Sequence, residues 1–389
     1  MLVSMKDMLQ HALRDGYAVG QFNINNLEWV GAVLSTAQQC RSPVILGVSG
    51  GTVKHMLGLK CIHDIVVNAM EYLHIDVPVA LHLDHGTSRE ACEAAIAAGF
   101  SSIMFDGSHL PFRENLAITR HLVTLAHSKG ISVEAELGTI AGSEDGIVNS
   151  EVIYADPQEC YTLVTETQVD CLAAALGSTH GLYKGKARLG FTEMKAIAEQ
   201  VKVPLVLHGG TGIADEDMRR AIACGTAKIN VNTENMYAWC QQVKAIFAAD
   251  TGHDVNDPRK VIAQGLQPVR EMIARRMALL AQSSAIDAGP AAETTAPTLP
   301  GRWRQVSKGK AGTAQHAPEG LLVRDRNRRL TRNIMLMAVD ATATAALVHL
   351  HHGADFSRRR RSGTVMAGTF TTGDHSGSTG IGGGASGEK

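Results

Sequence analysis

Three histidines occupy settings in which an imidazole could bind a metal: His85 in HLDHG, His180 in GSTHG and His208 in LHGGTG. Each falls at or just after the end of an apolar run that reads as a strand. Three imidazoles around an open fourth position describe a catalytic zinc site. With 17 histidines in the chain, any one alone is more simply a surface or core residue. Three at converging strand ends favour the metal. Period-2 alternation points His82 the same way as Asp84, so spacing alone does not select His85 over His82 as the ligand on this strand. Asp84 is a charged residue ending an apolar strand, which is costly unless it is ligating, catalytic or paired. A structural ion pair is the plainer alternative for it.

Glycine recurs where strand gives way to helix, at His180-Gly181 and through His208-Gly209-Gly210-Thr211-Gly212, and a later strand ends Asn230-Val231-Asn232-Thr233. Backbone N–H groups exposed by glycine, together with helix N-termini, bind phosphate without a cation. In barrels such sites follow strands seven and eight, where these two segments fall. Tight turns are the alternative reading of the glycines.

The elements that would position these groups alternate regularly. The runs YAVGQFNI, PVILGVS, VPVALHLDH, SSIMFDG, ISVEAELG, VDCLAAALG, VPLVLHGG and TAKINVN predict eight strands, each followed by helical spacing of Leu, Ile and Ala. Continuous apolar strands suit a parallel sheet covered by helices, and eight βα units close into a (β/α)₈ TIM barrel. An open doubly wound sheet is the alternative. Asn23, Asp84, Asp106, Glu136, His208 and Asn230 all stand at predicted strand C-terminal ends, and only a barrel gathers them at one mouth. Asp106 is counted among the candidate metal ligands. The glycine-rich stretches Gly138 to Ser150 and Ser178 to Gly190 read as long active-site loops, the first of them mobile.

Composition agrees with a core of small aliphatics: 44% of the 389 residues are apolar but only 4% aromatic. The net charge of −1 conceals a mildly acidic body, −7 over residues 1–285, and a basic tail, +6 over residues 286–389. A polyanion could therefore meet only the tail, and nucleic acid is not expected as a partner. The seven cysteines form no CxxC pair, which argues against zinc fingers and disulfide frameworks. The N-terminus lacks a signal peptide's apolar stretch, so a cytoplasmic location is expected. Ile334 to Leu350, the longest apolar stretch, is interrupted by Asp340, Thr342 and Thr344 and falls short of the roughly 20 residues that span a bilayer. The regular rhythm stops near Ala285, and residues 286–389 read as a low-complexity, disordered extension.

Taken together, GYAVGQFNINNLE, SPVILGVSGG, HLDHG, SVEAELGT, AALGSTHGLYKG, LVLHGGTGI and KINVNTEN resemble class II fructose-bisphosphate aldolases, over residues 1 to about 285. The resemblance implies a TIM barrel that cleaves a ketose 1,6-bisphosphate, fructose slightly favoured over tagatose, to dihydroxyacetone phosphate and glyceraldehyde 3-phosphate. It implies Zn²⁺ on His85, His180 and His208, with His82 behind them. Asp84 would be the acid/base at the bond that breaks, and Glu144, in the glycine-rich loop, the group that transfers a proton at the carbon of dihydroxyacetone phosphate. Glu136 matches a position that can approach a metal, and a second divalent or a monovalent cation is allowed. Asn230 would contact the reacting region. Gly181, Gly209, Thr211, Asn232 and Thr233 would hold one phosphate, Ser49 and Arg259 the distal one. The family also implies a homo-oligomer, dimer or tetramer, with Arg259 reaching across an interface.

The tail of 104 residues departs from the family, whose members end near MIARRMALLAQ, and a non-functional appendage is the favoured reading. Two rivals remain. One is a Schiff-base aldolase using Lys228 on the eighth strand, which alternation does not exclude. The other is a noncatalytic barrel that binds sugar phosphates for regulation, against which intact Asp84 and the histidines argue.

Overall fold

The computed structural model describes residues 1–144, 147–149, 152–183, 185–250, 252 and 255–281. Eight parallel strands form a closed barrel: β1 Val19–Asn23, β2 Val44–Val48, β3 Val79–Gly86, β4 Ser102–Phe105, β5 Ser132–Leu137, β8 Cys171–Ala174, β10 Leu205–Leu207 and β11 Thr226–Val231. They neighbour one another in chain order, and β1 closes on β11 through Val19 opposite Lys228 and Gln21 opposite Asn230. The eight expected strands and the helix after each are all present. This excludes the open-sheet alternative.

Both faces of these strands are covered, which is why they read as unbroken apolar runs. Phe22, Leu46, Leu81, Leu83, Ile103, Val133, Leu172 and Ile229 point outward into a core shared with the surrounding helices. Their neighbours Val19, Ile45, Ala80, Met104, Cys171, Ala173 and Val206 point inward and form a second apolar cluster inside the barrel. The helix Met5–Asp15 completes that inner cluster with Met5, Met8, Leu9 and Ala12, residues spaced to share one helical face. Ser4 caps this helix by accepting from Lys6 N–H, and Gly16 ends it with φ 69°. It is tied to the strands by Met5 N–H donating to Ser132 Oγ at 3.0 Å and by Lys6 Nζ at 3.1 Å from Asp170 Oδ1. One end of the barrel is thus sealed with apolar side chains, and the polar residues collect at the other.

The glycine-rich stretch expected to be a loop instead carries a hairpin. β6 Ala141–Glu144 pairs antiparallel with β7 Ile147–Asn149 and parallel with β9 Thr179–His180. The glycine content reflects close approach as well as turning. Gly142 sits at φ 109°, and a Cβ there would lie 2.2 Å from the His180 carbonyl oxygen. This small sheet lays β6 against His180. The expectation for residues 286–389 lies outside the described residues.

Because Leu9 is 1% exposed and lies in the plug, Leu9→Ala should cost about 2–5 kcal/mol of stability. Urea unfolding followed by far-UV circular dichroism measures it.

Candidate active site

His85 lies near the end of β3 in a left-handed conformation, φ 50°, uncommon for a residue with a Cβ. At the same place the pairing of β3 with β4 slips register between Leu83 and Gly86. The turn breaks the strict alternation of the strand, so Asp84 and His85 both reach the mouth. His82, two residues before Asp84, points inward one layer deeper and is fully buried. Its Nδ1 lies 2.9 Å from Ser102 Oγ.

His180 comes from β9, and His208 follows β10 directly. The ring centroids of His85 stand 5.1 Å from His180 and 4.6 Å from His208, with 5.9 Å between the latter two. One nitrogen from each imidazole falls within 4.8 Å of the others. The opposite nitrogens of two rings are held by carboxylates. His85 Nδ1 is 2.9 Å from Asp106 Oδ2, and His208 Nε2 is 2.8 Å from Glu134 Oε1. That leaves His85 Nε2 and His208 Nδ1 facing each other at 3.0 Å. Carboxylates behind imidazoles fix the rings and the tautomers that a metal ion needs. The donor set fits zinc.

A second group able to hold a metal joins His85, Asp106 and Glu136, through His85 Nδ1 at 2.9 Å from Asp106 and 3.8 Å from Glu136. Burial, then the neighbouring Asp106 charge, push the Glu136 carboxyl well above its ordinary value. Its Oε2 is buried without a hydrogen-bond partner.

Asp84, 1% exposed, is gripped by three amides. Gln21 Nε2 donates to Oδ2 at 2.7 Å, Asn23 Nδ2 to the same oxygen at 3.2 Å, and Asn230 Nδ2 to Oδ1 at 3.3 Å. Neutral donors orient the carboxylate without cancelling its charge. Asn230 Nδ2 also lies 3.2 Å from His208 Nδ1, so one amide touches both the acid and a ring of the histidine cluster. Among the described residues Asp84 meets amides and no ion-pair partner.

Beneath this layer Glu134 Oε2 forms an ion pair with Lys228 Nζ at 2.8 Å, both side chains fully buried. Burial pushes the Glu134 carboxyl up, but the Lys228 ammonium and the His208 hydrogen bond outweigh it and hold it well below its ordinary value. Burial, then the Lys228 charge, push His82 well below its usual value. Lys228 is therefore committed to a carboxylate below the mouth, which disfavours the Schiff-base reading.

Of the residues expected to bind substrate, Ser49, Gly181, Gly209, Thr211, Asn230, Asn232 and Thr233 line one cleft with His180. Asn23, Asn25 and Met236 complete it. Gly209 adopts φ 64°, and a Cβ there would stand 2.2 Å from the Thr179 carbonyl oxygen. Asn232 occupies the N-cap of the helix Thr233–Ala249 without a side-chain cap bond. Ser49 caps the short helix Gly50–His55.

Three of the expected residues are not among those lining this cleft. Gly210 is buried behind it, its N–H donating to the Asn230 carbonyl at 3.0 Å. Val231 alternates outward into the helix-facing core. Arg259 is 89% exposed, pairs with Asp257 at 3.0 Å and does not line its own chain's cleft. The backbone of Glu144 ends β6, but its side chain lies outside the described residues.

Gln21, Glu134 and Tyr183 also belong to the site. Tyr183 Oη accepts from Thr179 N–H at 2.9 Å and donates to the Gly209 carbonyl at 3.1 Å, joining the segment that carries His180 to the glycine loop.

At one mouth a closed βα barrel gathers a three-histidine cluster able to hold a metal ion, a buried carboxylate and a glycine-lined cleft. The family described as fructose-bisphosphate aldolase class-II matches residues 3–285. A fructose-bisphosphate aldolase of Geobacillus stearothermophilus is 55% identical over 276 residues, 71% of this chain and 96% of that one. One from Staphylococcus aureus (strain Mu50) is 53% identical over 70% of this chain and 94% of its own. The crystal structure of the YdjI aldolase from Escherichia coli K12 superposes with a TM-score of 0.62 at 31% identity, over 72% of this chain and 97% of that one. The chain belongs to the class II fructose-bisphosphate aldolase family.

Lys228→Met strands the Glu134 charge in the interior and should cost about 3–5 kcal/mol. The double variant Glu134→Gln with Lys228→Met should recover much of it, as read by chemical denaturation of metal-free protein.

Proposed function

We propose that this chain catalyses the reversible, zinc-dependent aldol cleavage of fructose 1,6-bisphosphate to dihydroxyacetone phosphate and glyceraldehyde 3-phosphate. The observation that carries the proposal is the Asp84 carboxylate, held by three amides, two of which line the cleft and one of which also meets His208 of the histidine cluster. His85, His180 and His208 would hold the zinc, which when bound acts as a Lewis acid on the substrate carbonyl and so as an electron sink for carbon–carbon cleavage.

The remaining work falls to side chains. Asp84 takes the proton from the hydroxyl at the bond that breaks, and returns it in the synthetic direction. Gln21, Asn23 and Asn230 keep its oxygens aimed. Gly181, Gly209, Thr211, Asn232 and Thr233 receive one phosphate through backbone N–H groups and hydroxyls, at the start of the helix Thr233–Ala249. Ser49 receives the distal phosphate. Glu144 is assigned the proton transfer at the carbon of dihydroxyacetone phosphate. Asp106 and Glu136 with His85 offer an alternative position for a divalent ion.

Arg259 is assigned to the distal phosphate of a neighbouring copy in a dimer or tetramer. Its exposure, and its absence from its own cleft, support that placement. A cytoplasmic location accords with seven unpaired cysteines. No helix among the described residues is long and apolar enough to cross a membrane. Residues 1–285 are proposed as the catalytic unit, supported by a family match ending at residue 285, and residues 286–389 as dispensable for it. Limited proteolysis that removes the tail should leave activity unchanged.

Fructose and tagatose 1,6-bisphosphate, tested in parallel before and after chelation with zinc added back, check the whole assignment. Activity on the fructose sugar should vanish with the chelator and return with zinc. Activity that survives chelation overturns the three-histidine centre, and preference for tagatose reassigns the substrate. Asp84→Ala should lower kcat by about 10²–10⁴-fold with little change in KM in steady-state assays.

A further inference from the structure

Two of the loops that line the cleft lead into helices that one buried side chain joins. After β10 the loop through Gly209 and Thr211 runs into the helix Asp215–Ala223, and after β11 Asn232 leads into Thr233–Ala249. Arg276, on the last described helix Pro258–Ala281, reaches both. Its Nε and Nη2 donate to Glu234 Oε1 and Oε2 at 2.6 and 2.7 Å. Its Nη1 lies 3.3 Å from Asp215 Oδ1 and 3.3 Å from Met218 Sδ. The guanidinium side chain is 7% exposed and that of Glu234 13%.

Glu234 is the second residue of its helix, next to Thr233 in the cleft, and its N–H donates to Thr211 Oγ1 at 3.3 Å. Its backbone therefore ties the two phosphate-facing segments together while its carboxylate is turned into the protein. A carboxylate at a helix N-terminus is attracted to the same backbone N–H groups that would receive an anionic ligand. A two-pronged contact to a planar guanidinium holds it in one orientation, which a lysine would not do.

We propose that Arg276 is a positioning residue for the phosphate cleft. It fixes the first turn of Thr233–Ala249 against the Gly209 to Gly212 loop and holds the Glu234 charge away from the incoming phosphate. The helix Pro258–Ala281 thereby sets substrate affinity without touching substrate. This inference rests on the phosphate reading of the cleft.

The test uses the full-length zinc-loaded protein and inorganic phosphate as a competitive inhibitor. Arg276→Met should raise KM and the phosphate inhibition constant together by about tenfold, equivalent to about 1.4 kcal/mol, with kcat within about twofold. Arg276→Lys, which keeps the charge and loses the fork, should lie between, and it serves as the reading if the methionine variant does not fold. Combining Glu234→Gln with Arg276→Met removes the released carboxylate and should restore most of the phosphate affinity.

An unchanged phosphate constant in a variant whose thermal midpoint has fallen overturns the proposal and leaves Arg276 as a brace alone. Failure of the wild-type protein to be inhibited by phosphate brings down the cleft reading, and this inference with it.

Discussion

The carboxylate of Glu134 is the interaction on which the arrangement of the mouth depends. It sits in the barrel interior with no access to water, and such a charge persists only with a partner. Lys228 supplies the compensating charge at 2.8 Å, and the second oxygen receives His208 Nε2 at the same distance. One buried pair therefore fixes the lysine below and the imidazole above. The ring it orients presents Nδ1 to His85 and to the amide of Asn230, whose other contact is Asp84. From the apolar plug upward, each layer settles the side chains of the next.

This layering explains what could be read from the sequence. Apolar strands bounded by polar residues were legible because both strand faces are covered, and the polar ends marked the mouth. The ambiguity between His82 and His85 had a conformational origin. Alternation holds up to Asp84 and then fails, because His85 takes a left-handed turn where β3 slips against β4. The family resemblance chose His85, and the backbone supplies the physical reason. Val231, inside a motif of cleft residues, still obeys alternation and turns its side chain to the helices.

Glu134 is marked in the sequence by its context. In SVEAELG two glutamates stand two residues apart on an otherwise apolar strand, so both must face the interior, and Lys228 was the available counter-charge. Gln21 carries no such mark, because its role exists only once β1 and β3 bring it to Asp84. The hairpin of β6 and β7 was hidden by its glycines. They signal flexibility in a sequence, yet Gly142 is needed where that strand crosses the His180 carbonyl. Arg276 lay beyond any motif, in a helix whose spacing describes only an apolar face.

The separation along the chain of the groups at the mouth carries a consequence for how the molecule comes into being. His85 and His208 are 123 residues apart, and Asp84 and Asn230 are 146 apart. Contacts of such span are made late, after much loop-closure entropy has been lost. Until β10 and β11 have joined, Asp84 lacks its amide from Asn230 and Glu134 lacks both lysine and histidine. A chain halted before its last strands would thus carry unsatisfied charges in its interior, and closure of the barrel and assembly of the chemical centre are a single event.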